Sequence, residues 1–392
     1  MKNSLVFYPS FLLLGCGLVQ PGLLHANPNF YGNITPGILI STNQKIDQTK
    51  DGVDIVCQQY APTRPTDCGP SENEKFTAFS YQHSSSSAGM NFLISDKVAV
   101  NFELGPMLTN DVDSSGNSID AGLPLALRTY SFSVDVGKGS VMVGRQARPF
   151  AAITSAANNM KFVFDDSVAG TLNQKRNLGV TYQSHEVLGM VNLHAGLFNP
   201  SKPGPKQENN STETPAVDIA AHFTFSPQVT ASLGLLMENL SDYVDNNFVS
   251  YNASIFGFNV MGNFAGFKGT MSYASGNPLY KKATRMANLN KAAKEKVDGL
   301  DFWLETQLRA VHLGIFYGLE TGHLAESEGR RNKDDNPGNV LEVGSALGIH
   351  VGYQWNDVEW MLEYGNQKLS YDGITVNNKT YFGLAANLNW AS

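Results

Sequence analysis

The chain has 392 residues and a formal net charge of -7 at pH 7. This negative balance and the absence of a clustered basic face argue against nucleic acid as a partner. After the first segment, no stretch is continuously apolar over the roughly 20 residues that a spanning helix needs, which excludes a helical membrane protein. Only 16% of residues are charged, and glycine (37), phenylalanine (22) and tyrosine (15) are abundant, whereas about a quarter of residues are charged in ordinary globular proteins. This composition favours strands that face lipid.

Residues 1–26 are predicted to be a cleaved signal peptide. Lys2 supplies a basic start, Leu5 to Leu24 is mostly apolar, and Leu24-His25-Ala26 resembles a cleavage site. The mature chain then begins near Asn27. The alternative is a lipidation box at Leu13-Leu14-Gly15-Cys16, which would make Cys16 the acylated first residue of a lipoprotein.

Two cysteines remain after this segment, Cys57 and Cys68, in one hydrophilic stretch. An oxidising periplasm lets such a pair close a small loop, so a disulfide is predicted. Two free or metal-binding thiols are the alternative.

Alternation of apolar with polar or small residues recurs through most of the chain. It is clearest in Val98 to Gly105, Gly299 to Arg309 and Val358 to Gly365. Successive side chains of a strand point to opposite faces of a sheet, so this period of two predicts strands. Strands assigned in this way from Phe30 to Trp390 number about sixteen.

The predicted strands come in pairs joined by short polar turns, and longer connections separate the pairs. The turns are Ser95-Asp96-Lys97, Ser226-Pro227-Gln228 and Trp355-Asn356-Asp357. The long connections are Asn43 to Glu74, Thr109 to Gly122, Asn199 to Thr214, Ser275 to Asp298 and Gly322 to Val340. Short turns at one end and long loops at the other are typical of an all-β, antiparallel transmembrane barrel of the outer membrane. Within one loop, the lysine-rich segment Tyr280 to Lys296 has the pattern of a short basic helix, but a solvated loop insert is the favoured interpretation.

A water-soluble β-sandwich, or a tandem of such domains, would also show alternating apolar and polar residues along its strands. A chain of more than about 250 residues normally splits into domains, and no linker with a shift in composition is visible. The outward set also carries large aromatic residues on nearly every predicted strand. Both observations favour a single barrel over residues 27–392.

The region Arg128 to Tyr182 resembles the Gram-negative general porins, the trimeric sixteen-stranded diffusion channels. Arg128-Thr129-Tyr130-Ser131-Phe132-Ser133-Val134-Asp135-Val136 is similar to that family's fourth strand, and Gly137 to Pro149 is similar to its fifth, with the signature Gly144-Arg145-Gln146 closely followed by proline. A long connection and the strand Lys175 to Ser184 then follow in the family's order. Asn29 to Ile34 is similar to the first strand.

The resemblance implies that Phe150 to Gln174 folds into the bore as a constriction loop. Asp165 and Asp166 would then lie on one side of the constriction, opposite basic residues. The basic candidates are Lys175, Arg128, Arg145 and Arg148. Strand parity places Lys175 on the inner face. Arg128 and Arg145 instead share the parity of apolar, outward-facing residues. Either arginine could face the bore only if a β-bulge reversed the alternation or if it lay beyond the apolar band.

The sequence departs from the family at two places. The family usually ends in an aromatic residue that the insertion machinery recognises, whereas here Ala391 and Ser392 follow Trp390. The wall arginine expected near Ser86 to Phe92 is missing.

Parity alone predicts which wall residues face the bore. The carboxylates are Glu103, Asp301, Glu305, Glu320, Glu342, Glu359 and Glu363, and the clear cations are Lys175 and Arg309. A surplus of carboxylates in a narrow bore favours cations. The histidines read as polar wall residues without metal-ligand spacing, and no cofactor is expected.

The sequence thus predicts an outer-membrane porin for passive diffusion of small hydrophilic solutes and ions, with a preference for cations. The resemblance implies a homotrimer in contact with lipid and lipopolysaccharide, inserted by machinery that reads the C-terminal strand. The alternatives are a channel selective for sugars, peptides or phosphate, and a surface adhesin or structural barrel. A barrel enzyme is disfavoured, because barrels of ten or twelve strands would leave much of the chain over.

Overall fold

The computed structural model describes residues 28–45, 75–82, 86–106, 125–153, 176–187, 189–199, 215–244, 247–276, 297–324, 340–371 and 374–391. These residues form eighteen strand segments and one 3₁₀ helix, Pro149–Ala152. The strands are β1 (Asn29–Ile34), β2 (Gly37–Lys45), β3 (Lys75–Gln82), β4 (Ser87–Ser95), β5 (Val98–Pro106), β6 (Leu125–Asp135), β7 (Gly139–Ala147), β8 (Arg176–Ser184), β9 (Val191–Phe198), β10 (Ala216–Ser226), β11 (Val229–Val244), β12 (Asn247–Phe264), β13 (Phe267–Gly276), β14 (Val297–Leu308), β15 (Val311–Leu324), β16 (Val340–Trp355), β17 (Val358–Tyr371) and β18 (Ile374–Ala391). Among the described residues, no helix is long and apolar enough to cross a membrane.

The segments form one closed antiparallel sheet. β18 pairs with β17 on one side and with both β1 and β2 on the other. On their other side, β1 pairs with β4 and β2 pairs with β3. β1 and β2 therefore share one position in the barrel, and β3 and β4 share the next. The eighteen segments occupy sixteen positions, which confirms the predicted fold.

The break between β1 and β2 has a local cause. Pro36 has no backbone N–H and cannot donate a hydrogen bond to the sheet. Side chains connect the strands at this point: the backbone N–H of Thr35 donates to Oγ of Ser86 at 2.9 Å, and Oγ1 of Thr35 donates to Oδ1 of Asn387 at 3.0 Å. The seam between the two ends of the chain therefore stays hydrogen-bonded across the interruption.

Two-residue turns lie at one end of the barrel and include all three turns predicted from the sequence. The turns are Asp96-Lys97, Pro227-Gln228, Ala265-Gly266, Arg309-Ala310 and Asn356-Asp357. Gly266 and Asn356 adopt positive φ angles of 82° and 52°, as tight hairpin turns require.

At the opposite end, residues 46–74, 107–124, 200–214, 277–296 and 325–339 lie outside the described residues. Four of these gaps fall within predicted long connections, and residues 107–124 include the predicted connection Thr109 to Gly122 and two more residues on each side. The segment Tyr280 to Lys296, predicted as a basic helix or a solvated loop insert, falls among these gaps. Two connections at this end are short, because only two residues separate β11 from β12 and β17 from β18. The predicted signal peptide, residues 1–26, is also outside the described residues.

Candidate functional site

The inner face of the barrel is the candidate functional site. On β14, Asp301 and Trp303 are 0% exposed, while Phe302 between them is 40% exposed. The outer faces of the other strands carry exposed Leu, Ile, Val, Phe, Tyr and Trp in the same way, which is the pattern of a lipid-facing surface. The pleat therefore presents the polar set to the interior, as the sequence predicted.

The predicted wall carboxylates follow this alternation. Asp301, Glu320 and Glu363 are buried, whereas Glu103, Glu305 and Glu359 are half-buried. The side chain of Glu342 lies outside the described residues.

The inner wall carries two lysines that parity reasoning on the sequence missed, one paired with a carboxylate and one stacked over an aromatic ring. The Nζ of Lys268 lies 2.9 Å from Oε1 of Glu305. The Nζ of Lys379 lies 5.0 Å above the ring of Tyr381, another inner-face residue. Both lysines share the parity of inner residues on β13 and β18, a signal that the sequence did contain.

Arg309 is not a residue of the wall strand, in contrast to the prediction. β14 ends at Leu308, and Arg309 is an exposed turn residue with a φ of 57°. Continuing the alternation by one residue placed it on the inner face, but the positive φ of the hairpin turn breaks the alternation there.

Arg128 and Arg145, which the resemblance places in the bore and strand parity places outside, lie on opposite faces of the barrel wall. The pairing of β5 with β6 shifts register, so that Glu103 pairs with Thr129 and Leu104 with Leu127. Arg128 is the extra residue of this β-bulge, and its side chain occupies the space beside buried Gly105, on the inner face. Arg145 instead is exposed on the outer face.

Arg148 is fully buried on the inner side of the barrel, just after β7. Its Nε donates to Oδ2 of Asp218 at 2.9 Å, its Nη2 donates to Oδ1 of the same carboxylate, and its Nη1 donates to Oε1 of Glu238. Its guanidinium carbon lies 5.3 Å from the ring centroid of Phe198. Burial alone would lower the pKa of Arg148, but hydrogen bonds and charges from the two carboxylates raise it above the ordinary value. We call Arg148, Asp218 and Glu238 the Arg148 cluster.

The 3₁₀ helix Pro149–Ala152 continues from this cluster along the inner wall. Phe150 and Ile153 are both 0% exposed. They form one apolar cluster with residues of β10 to β13, namely Ala220, Leu236, Ile255 and Ala274. Gly234 makes this approach possible, because a Cβ there would lie 2.8 Å from Cγ1 of Ile153 and 3.1 Å from Cδ2 of Phe150.

Sequence reasoning missed Asp218 and Glu238. Asp218 has the parity of inner-face residues on β10, so its orientation was readable from the alternation. Its pairing with Arg148 was not readable, because 70 residues separate the two in sequence.

Several predicted site residues lie outside the described residues, so their predictions stay untested. They are Asp165, Asp166, Lys175, Cys57 and Cys68. Of the predicted constriction loop, only Phe150 to Ile153 is described.

A second group of polar inner-face residues lies near the end with the two-residue turns. His312 and His350 stand with their ring centroids 5.2 Å apart, and each ring contacts a wall carboxylate. The Nε2 of His312 lies 3.2 Å from Oε2 of Glu305, and the Nδ1 of His350 lies 2.9 Å from Oε1 of Glu363. The sequence predicted these histidines only as wall residues.

No protein-family model matches the chain, and no curated protein matches it in sequence. Among solved structures, the chain is similar to the outer membrane channel DcaP of Acinetobacter baumannii, with a TM-score of 0.63 and 13% identity over 93% of this chain and 97% of that one. It is also similar to the anion-selective porin of Comamonas acidovorans, with a TM-score of 0.56 and 11% identity over 93% and 100%. OmpT of Vibrio cholerae gives a TM-score of 0.55 and 13% identity over 93% and 98%. The chain therefore has the fold of the sixteen-stranded outer-membrane porins.

Proposed function

We propose that this protein is an outer-membrane porin, a water-filled channel through which small hydrophilic solutes and ions diffuse passively. The observation that carries the proposal is that the segment Arg148 to Ile153 packs against the inner wall of a closed barrel. The apolar outer face suits lipid, and the charged inner face suits water and polar solutes.

The proposed constriction consists of residues 150–174, entering the bore from the Arg148 cluster. Asp165 and Asp166 would supply its negative side. Lys175 and Arg128 are the better candidates for the basic side. Arg148 is already paired with two carboxylates, and Arg145 faces outward. Opposed charges across a narrow opening orient polar solutes and disfavour apolar ones.

The proposed preference is for cations. Inner-face carboxylates outnumber inner-face lysines and arginines among the described residues, even after Lys268, Lys379 and Arg128 are counted. A similar fold is found in a porin described as anion-selective, so the placement of charge, and not the barrel itself, must decide selectivity.

The proposed setting is the outer membrane, reached with a cleaved signal peptide of residues 1–26. The exposed apolar residues of the outer face would contact lipid. The proposed assembly is a homotrimer surrounded by lipid and lipopolysaccharide. No catalytic role is proposed.

The test is single-channel recording in a planar lipid bilayer with the purified protein. We expect discrete, ohmic conductance steps. Deleting residues 157–170 should then raise the conductance, because the constriction is removed while the Arg148 cluster and the 3₁₀ helix remain.

A folded protein without conductance steps would contradict the channel proposal. An unchanged conductance in a folded deletion variant would contradict only the constriction loop. Resistance to unfolding by detergent on unheated gels would establish folding in both cases.

A further inference from the structure

We propose that His312, His350 and Glu359 form a binding site for a divalent transition-metal ion such as Zn²⁺, on the inner wall near the two-residue turns. Their candidate ligand atoms all lie within 4.8 Å of one another. The three residues come from three consecutive strands, β15, β16 and β17. For this reason no metal-ligand spacing is visible in the sequence. We call these residues the histidine site.

The hydrogen bonds of the two histidines indicate which ring nitrogen of each would bind the ion. Nδ1 of His350 contacts Glu363 at 2.9 Å, which leaves Nε2 for the metal. Nε2 of His312 contacts Glu305 at 3.2 Å, which leaves Nδ1. Metal-binding histidines characteristically give their second ring nitrogen to a carboxylate, which fixes the ring and raises the basicity of the ligating nitrogen.

One separation between proposed ligand atoms is close to the value that Zn²⁺ requires. Zn²⁺ holds nitrogen and oxygen ligands at about 2.0–2.2 Å, so two ligands of one tetrahedral ion lie about 3.4 Å apart. The Nδ1 of His312 is 3.7 Å from Oε1 of Glu359. The other oxygen of Glu359, Oε2, accepts a hydrogen bond from Nδ2 of Asn387 at 3.4 Å. Each of the three proposed ligands is thus oriented by a further side chain.

The absence of a side chain at Gly352 gives the proposed ligand atoms their room. A Cβ at this position would lie 2.7 Å from Oε1 of Glu359 and 3.2 Å from Nε2 of His350. The side chain of His350 is only 3% exposed, and its Nε2 makes no hydrogen bond to any of the described residues. A buried ring nitrogen beside a carboxylate oxygen is an environment that a cation would stabilise.

The site is open on one side. The side chains of His312 and Glu359 are 31% and 21% exposed, so an ion could enter from the bore. Three protein ligands with an exposed side leave a coordination position for water or for a solute. Imidazole and carboxylate donors together suit Zn²⁺, Ni²⁺, Cu²⁺ and Co²⁺ better than Ca²⁺ or Mg²⁺. Metal binding here does not require that the barrel conducts ions.

The experiment uses the full-length barrel, stripped with EDTA and folded in detergent. We expect isothermal titration calorimetry with ZnCl₂ to show one equivalent bound, and CoCl₂ to give visible d–d absorption bands. His350→Ala and Glu359→Gln should each weaken Zn²⁺ binding by tenfold or more, and Glu363→Gln should weaken it by about 10–100-fold as a second-layer partner.

Two matched controls separate metal binding from general effects. His222→Ala removes an inner-face histidine whose Nδ1 lies 2.8 Å from Oγ of Ser232, and it should bind Zn²⁺ like the wild type. Gly352→Ala should weaken Zn²⁺ binding. Gly344→Ala should not, because Gly344 lies on the same strand and face but a Cβ added there would meet only Cβ of Glu320, at 3.8 Å.

The proposal is overturned if the folded wild type binds neither ion at micromolar concentration. It is also overturned if His222→Ala removes binding as fully as His350→Ala does. If His350→Ala does not fold, Gly352→Ala and Glu359→Gln decide the question, because normal binding in both would exclude the site.

Discussion

Arg148 and Asp218 are joined by two parallel hydrogen bonds inside the barrel, from Nε to Oδ2 and from Nη2 to Oδ1 of the carboxylate. This fork-to-fork geometry is the strongest form of charge pairing between side chains. It fastens the start of the segment after β7 to a strand three positions further around the wall. The segment therefore enters the barrel in a fixed orientation.

Replacing Arg148 with alanine should destabilise the barrel by about 3–5 kcal/mol, because Asp218 and Glu238 would remain as buried, unpaired carboxylates. The measurement is the free energy of unfolding from urea titration in detergent. Arg145→Ala is the control: it removes an exposed arginine from the outer face three residues earlier and should change stability little. Equal losses in both variants would contradict the anchoring role.

Replacing Gly234 with alanine should displace Phe150 and Ile153 from the wall. The new Cβ would lie 2.8 Å from Cγ1 of Ile153, and overpacking of this kind costs about 1–3 kcal/mol. We expect lower stability and noisier single-channel current. Gly344→Ala, on the inner face with room for a methyl group, should behave like the wild type; equal behaviour of the two variants would refute the packing argument.

Cation preference should appear as a zero-current potential in a KCl gradient, with a sign that favours potassium over chloride. The preference should weaken as salt rises, because the Debye length is only about 10 Å at 0.1 M. Glu103→Lys should reduce the preference more than Asp96→Lys does. Both changes add the same charge, but Asp96 lies in an exposed turn. A wild-type potential that favours chloride would refute the charge assignment of the inner wall.

The predicted disulfide between Cys57 and Cys68 lies outside the described residues and is tested chemically. In protein purified without reductant, mass spectrometry should find the two cysteines linked and neither thiol free to alkylate. Closing a loop of this size stabilises by about 3 kcal/mol in the chain-entropy model. Two alkylated thiols would exclude the bond.

Much of the barrel could be predicted from the sequence, because the lipid-facing and inner sets alternate residue by residue. The inner positions of Asp301 and Glu363 follow from that alternation alone. It fails where the backbone departs from the pleat. The bulge at Arg128 turned an apparent outer residue inward, and the positive φ of Arg309 moved an apparent wall residue into a turn.

The clusters on the inner wall could not be predicted in the same way. Arg148 meets Glu238 across 90 residues of sequence, and His312 meets Glu359 across two strand pairings. Alternation gives the face on which a side chain lies but not its height in the barrel. Register between strands sets that height, and single-sequence patterns carry little information about register.

The hydrogen bond from Thr35 to Asn387 spans 352 residues of sequence, and the seam on which it lies is completed by β18. Contacts between such distant residues carry the greatest loop-closure entropy and form late in folding. Without β18, one edge of the sheet would be β17 and the other would be the successive segments β1 and β2, and unpaired edges invite association with other chains. We therefore expect a mutation at the seam to slow assembly of the barrel more than a mutation elsewhere in the wall that causes an equal loss of stability.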